Sequence, residues 1–170
     1  MSARLPWIER RWKFDFPVEL FPDIIERLRG TPARIEALLR GLGADVLTRR
    51  EKEGTWSIQE NVGHLIDVET LWLGRLDEYL SGARVLRAAD MSNPKTHEAD
   101  HNRKPFPSVL SGFQAVRGPF ISRLEGLEDS DFARVARHPR LDTPMRLVDM
   151  CLFVADHDDY HLARIRELMG

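Results

Sequence analysis

The chain has 170 residues, with 25 Lys and Arg against 27 Asp and Glu for a formal net charge of −2, and its 42% hydrophobic and 31% charged composition is that of a folded globular domain. A single cysteine, Cys151, excludes an intrachain disulfide framework, and no window approaches the roughly eighteen apolar residues of a membrane span. The slight acidity offers no basic field for nucleic acid, and the N-terminus lacks the apolar run of a secretory signal, so the cytoplasm is the expected compartment.

Apolar residues recur at helical spacing in four segments, and almost nothing reads as a strand. The first segment runs from near Pro22 to Leu42. Gly30-Thr31-Pro32 interrupts it, and Thr31 followed by proline predicts an N-cap and a restart. The second opens on Ser57-Ile-Gln-Glu60, a capping box in which the serine caps an orphan amide and the glutamate reaches back. It should end before Gly82. Residues 90–107 are polar and broken by prolines, which predicts a long loop. The third helix is expected from Ser108 to about Leu127, and the fourth from Thr143-Pro144 to Met169, with a loop at 128–142 between them. Four helices predict an all-α four-helix bundle with a long connection between the second and third. One domain is expected over 1–170, with its core at about 20–169 and residues 1–19 as an N-terminal extension.

The fourth segment carries His157-Asp-Asp-Tyr-His161. Histidines at i and i+4 differ by about 40° around a helix, so both imidazoles leave one face. Met150, Phe153 and Leu168 lie on the same stripe, which turns both rings toward the bundle interior. Two inward histidines one turn apart repel when charged and need partners when neutral. A metal ion answers both needs and asks for a third ligand. His64 on the second helix, on a stripe that mixes Val68 and Leu71 with Glu60 and Arg75, supplies it and leaves a coordination position open. The simpler alternative is a set of core histidines satisfied by hydrogen bonds.

Other residues are weighed beside these three. Asp158 is a candidate catalytic base, although a solvated helix position is the simpler account. Arg75 is a candidate for binding an anionic substrate group, with a surface salt bridge as its alternative. Glu60 is read as the capping-box partner and Cys151 as a small core residue. His97-Glu-Ala-Asp-His101 matches the HExxH pattern of zinc proteases, but that chemistry requires both histidines on one helix, and this stretch lies between Pro94 and Pro105. From the same loop, His101 and Asn102 are expected to reach the bundle mouth as substrate-binding residues.

Trp56-Ser-Ile-Gln-Glu-Asn-Val-Gly-His64-Leu-Ile-Asp67 and Phe153-Val-Ala-Asp-His157-Asp-Asp-Tyr-His161-Leu-Ala-Arg-Ile165 together resemble the DinB/YfiT-like metalloenzyme superfamily. The resemblance covers about Leu20 to Met169. It implies a four-helix bundle and one divalent metal, zinc or nickel, on His64, His157 and His161. It also implies a small-molecule substrate and a thiol-transferase or hydrolase reaction, with bacillithiol or mycothiol as a co-substrate in the thiol-dependent relatives. Two other readings stand beside this one: a non-catalytic metal-binding or stress-related module, and a structural homodimer formed through exposed Trp7, Trp12 and Trp72.

Overall fold

The interruption at Gly30 divides the first arm of the bundle into α1 (Phe21–Arg29) and α2 (Thr31–Leu39). The structure, a computed structural model, describes residues 4–170; Met1–Ala3, the start of the N-terminal segment read above, lie outside the described residues. Thr31 does not cap α2 with its side chain as its position before proline suggests. Its hydroxyl lies 2.8 Å from Asp158 Oδ2 on another arm, a tertiary contact that overrides the local cap. After the short α3 (Ala44–Thr48), α4 spans Ile58–Leu80.

The capping box forms as expected: Ser57 Oγ accepts from the Glu60 amide at 3.1 Å, and Glu60 Oε2 accepts from the Ser57 amide at 2.9 Å. At the far end of α4, Gly82 takes a φ of +76°, which a side chain would resist. This turn lets the Ala83 amide reach back to the Glu78 carbonyl at 2.8 Å.

The long connection contains α5 (Pro94–Glu98) and a 3-10 turn at His101–Arg103. The third arm, α6, covers Phe106–Glu125 and starts two residues earlier than its sequence signal. The segment expected to be a loop at 128–142 holds part of a small antiparallel hairpin, β1 (Val135–His138) with β2 (Thr143–Arg146), in which Val135 pairs with Arg146. Thr143-Pro144 is therefore strand and not a helix start. The last arm, α7 (Leu147–Met169), begins where Asp149 Oδ2 accepts from the Arg146 amide at 2.7 Å.

The α1–α2 arm, α4, α6 and α7 pack as a four-helix bundle, with α4 against both α6 and α7 and α1 against α7. Leu28, Leu76, Phe120 and Val154 form one part of the core, and Ile35, Leu65, Phe113 and Ile165 form another. Residues 4–20 lie across the bundle. Trp7 packs edge-on to Trp12 and to Phe153, each at 4.9 Å between ring centroids. Trp12 Nε1 donates to Asp156 at 2.8 Å, and Trp72 is only 2% exposed. These tryptophans belong to the interior and its edge, and the exposed aromatic face expected for a dimer is not made by them. Among the described residues, no helix is long and apolar enough to cross a membrane.

Candidate metal centre

His64 on α4 and His157 and His161 on α7 come together, each offering a ring nitrogen within 4.8 Å of the others. All three are buried. Helix geometry sets the pair on α7, and the packing of α4 against α7 brings in the third.

The hydrogen bonds around the rings decide which nitrogens face inward. Asn61 Nδ2 donates to the Ser57 carbonyl at 2.8 Å, which orients the amide so that Oδ1 faces His161. That oxygen lies 2.9 Å from His161 Nδ1, so Nδ1 carries the proton and Nε2 keeps a bare lone pair. Thr96 Oγ1 stands 3.1 Å from His64 Nδ1. A threonine oxygen that accepts from His64 Nδ1–H leaves His64 Nε2 free to bind a metal. His64 Nε2 sits 3.4 Å from His157 Nε2. His157 Nδ1 has no hydrogen-bond partner among the described residues; its ring packs edge-on to Trp7 at 5.1 Å and to Trp72 at 5.6 Å.

Burial holds the three rings neutral. It pushes His64 down to about 3, with the charge of His157 adding to the effect. His157 is pushed down to about 3 by burial and then by Arg117, and His161 falls well below its ordinary value for the same first reason. Three buried neutral imidazoles with convergent ring nitrogens are the donor set a divalent transition metal takes. The 3.4 Å between His64 and His157 Nε2 agrees with this, since ligands about 2.0–2.1 Å from a tetrahedral ion stand about 3.3 Å apart. The residues fit a metal.

The cluster borders a cavity of about 470 Å³ that is walled by Trp56, Leu71, Trp72, Phe153 and Tyr160 and closed on one side by Trp7 of the N-terminal segment. The other candidates fall in three places. Arg75 lines this cavity and is 1% exposed, so it is not a surface residue in a salt bridge. Asp158 lies elsewhere. Its carboxylate meets Arg117 Nη1 at 2.5 Å and Thr31, and Arg117 in turn binds Glu69 at 2.8 Å. Neither a solvated position nor a base at the cavity describes it: one residue past His157 turns the side chain about 100° toward α6.

His101 and Asn102 do not line the cavity either. His101 Nε2 binds Asp67 at 2.8 Å, and its ring lies against Gly63, where a Cβ would come within 2.2 Å. Asn102 accepts from Ser57 Oγ at 2.7 Å and donates to the Thr48 carbonyl. Both residues pin the long connection onto the start of α4. The HExxH match is broken between its histidines, because α5 ends at Glu98 and Asp100 takes a left-handed φ of 52°. Cys151 is buried, and burial pushes its thiol up to about 12, as suits a core residue. Sequence reasoning missed Asn61, Thr96 and His138. Asn61 precedes His64 by one helical turn and was open to discovery by spacing, whereas Thr96 and His138 arrive from distant segments with no local signal.

Comparisons with known proteins bear on the same features. The family model of the DinB superfamily matches residues 27–165. A protein of Geobacillus kaustophilus (strain HTA426) named "Putative metal-dependent hydrolase" is 26% identical over 150 residues, covering 85% of this chain and 81% of that one. YfiT from Bacillus subtilis, described as a probable metal-dependent hydrolase with an unusual four-helix bundle topology, superposes with a TM-score of 0.79 at 22% identity. That match covers 94% of this chain and 91% of YfiT. A mycothiol-dependent maleylpyruvate isomerase shares the fold at a TM-score of 0.65 and 8% identity, over 91% of this chain and 67% of its own.

Proposed function

The chain belongs to the DinB superfamily, and from that premise we propose that it is a metal-dependent hydrolase of a small molecule, with His64, His157 and His161 as the ligands of one divalent ion. The observation that carries this reading is the convergence of three buried imidazoles with ring nitrogens within 4.8 Å of one another, His161 turning a bare Nε2 away from Asn61. Burial disfavours the extra proton that would turn any of these rings cationic, so a metal ion is the cation that the cluster accommodates. A divalent ion held by these three histidines would supply Lewis acidity, the chemistry that polarises a carbonyl or ester oxygen and acidifies water or a thiol.

The chain's own residues do the rest. Asn61 sets the tautomer of His161, and Thr96 holds the tilt of the His64 ring. Trp7, Trp56 and Trp72 narrow the cavity and limit water around the reacting group. Zinc and nickel both suit imidazole donors. The shared fold with a thiol-dependent isomerase keeps thiol transfer as the second reaction to assay, with a low-molecular-weight thiol as co-substrate.

The test is elemental analysis of protein purified without an affinity tag, followed by ester, amide and thiol-transfer assays with and without chelator. About one equivalent of zinc or nickel is expected, lost in His161→Ala, with hydrolysis that disappears on chelation. Metal-free protein whose melting temperature ignores both chelator and added ion would overturn the reading.

A further inference from the structure

The cavity beside the histidine cluster has a second polar end that no metal ligand occupies. Arg75 sits eleven residues past His64 on α4, about three turns along the same face. A single indole separates it from the cluster: its guanidinium carbon is 5.4 Å from the centroid of Trp72, whose ring is 5.6 Å from that of His157. Most buried arginines are paired with a carboxylate. This one is not. Nε and Nη2 donate to the Arg87 carbonyl at 3.1 and 3.0 Å, and Nη1 faces His138 Nε2 at 3.2 Å. Among the described residues, no Asp or Glu lines the cavity.

The contact with His138 is not a satisfied hydrogen bond. The Leu141 amide donates to His138 Nδ1 at 3.1 Å. A neutral imidazole accepts at one nitrogen and carries its proton on the other, so Nε2 bears the proton and points it at a second donor. Protonating the ring makes both nitrogens donors and worsens the conflict. Two more donors on residues of the cavity wall, Trp72 Nε1 and Arg140 Nη2, are buried without a partner among the described residues. Among the same residues, no side-chain acceptor meets the outer edge of the Arg75 fork or the Nε2 proton of His138. Unpaired buried donors are costly, and an anion is the group that satisfies the Arg75 fork and His138 together.

We infer that this end of the cavity receives the anionic oxygen group, a carboxylate or a phosphate, of a small molecule whose apolar or aromatic body lies along Trp72 and Phe153 toward the three histidines. Calling that molecule the substrate rests on the function proposed above; the binding itself does not. Nη1 and Nη2 of Arg75 and Nε2 of His138 are its donors, and Arg140 adds the second positive charge.

The experiment is calorimetric titration of the full chain, as purified and with its metal content measured, with 3-phenylpropanoate, 2-phenylethyl phosphate and the neutral 3-phenylpropanamide. At least one anion should bind about tenfold or more tighter than the amide, and the better of the two names the oxygen group. Arg75→Met should bring the preferred anion to within about twofold of the amide, and His138→Phe should reduce the preference severalfold while leaving the buried arginine in place. His161→Ala should keep the preference, since the donors lie away from the metal ligands. Amide binding as tight as both anions in the unaltered protein would overturn the inference with no variant needed. So would a preference that survives Arg75→Met and vanishes in His161→Ala, which would assign the anion to the metal and leave the proposed function standing.

Discussion

His157 and Asp158 are neighbours in the chain, and α7 sends them to two buried polar regions of opposite character. Asp158 enters a closed knot. Arg117 spans Asp158 and Glu69 with all three guanidinium nitrogens engaged, Thr31 adds its hydroxyl, and the Leu28 carbonyl takes a further Arg117 bond at 3.2 Å. Burial pushes the Glu69 carboxyl upward despite Arg117, while Asp158 and Glu69 hold the guanidinium firmly charged against its own burial. His157 enters the open region, where its Nδ1, Trp72 Nε1 and Arg140 Nη2 have no partner among the described residues and a cavity stands beside them. The knot satisfies itself and locks α4, α6, α7 and α1 together. The cavity is left unsatisfied by the protein alone, which is the mark of a place built for something else.

Acid should separate the two regions most strongly. The three cluster histidines ionise near 6.5 in the unfolded chain, whereas burial drives His64 and His157 to about 3 and His161 well below 6.5. Above about pH 6.5 neither state holds these protons; from there down to about 3 only the unfolded chain binds them, so stability falls as pH falls. Each histidine removes about 1.4 kcal/mol per pH unit at most. Urea midpoints of metal-free protein between pH 7 and pH 5 should fall steeply, and a His161→Phe variant that still folds should show a shallower slope. A flat profile would show that the cluster is hydrated and not buried.

Arg117→Met attacks the closed region instead. It strands two carboxylates in the core and should cost about 3–5 kcal/mol in equilibrium unfolding, with no specific loss of metal from the fraction that remains folded. Metal loss on the same scale as unfolding would merge the two regions into one. A smaller effect is expected at the ligands' supports: Asn61→Leu removes the acceptor for His161 Nδ1–H and should weaken metal binding about 10- to 100-fold in a chelator competition. The smallest concerns the start of α4, which both regions share. Ser57→Ala loses the cap on the Glu60 amide and should lower stability by about 1 kcal/mol, with metal affinity changed far less than by Asn61→Leu.

The candidate ligands were legible because helices obey a local rule. Spacing alone put His157 and His161 on one stripe with Phe153, and placed His64 on the apolar side of a well-capped helix. The restart read at Thr31-Pro32 is present, although a carboxylate on α7 claims the hydroxyl that was to cap it. The same signal misled at Thr143-Pro144, where strand pairing claims the segment. It was silent on the loop residues, since His101, Asn102, Thr96 and His138 take their roles from contacts many residues away.

By itself, the sequence determined the four helical arms, the capping box at Ser57 and the placing of His157 and His161 on one face of α7, all consequences of signals local to single helices. Only the tertiary structure decided that Asp158 belongs to the Arg117 knot, that Arg75 is buried without a carboxylate, and that Trp7 closes over the cavity. The physical reason is that a helix's own geometry sets the direction in which each side chain leaves, while the neighbour it meets is set by packing between segments far apart in the chain.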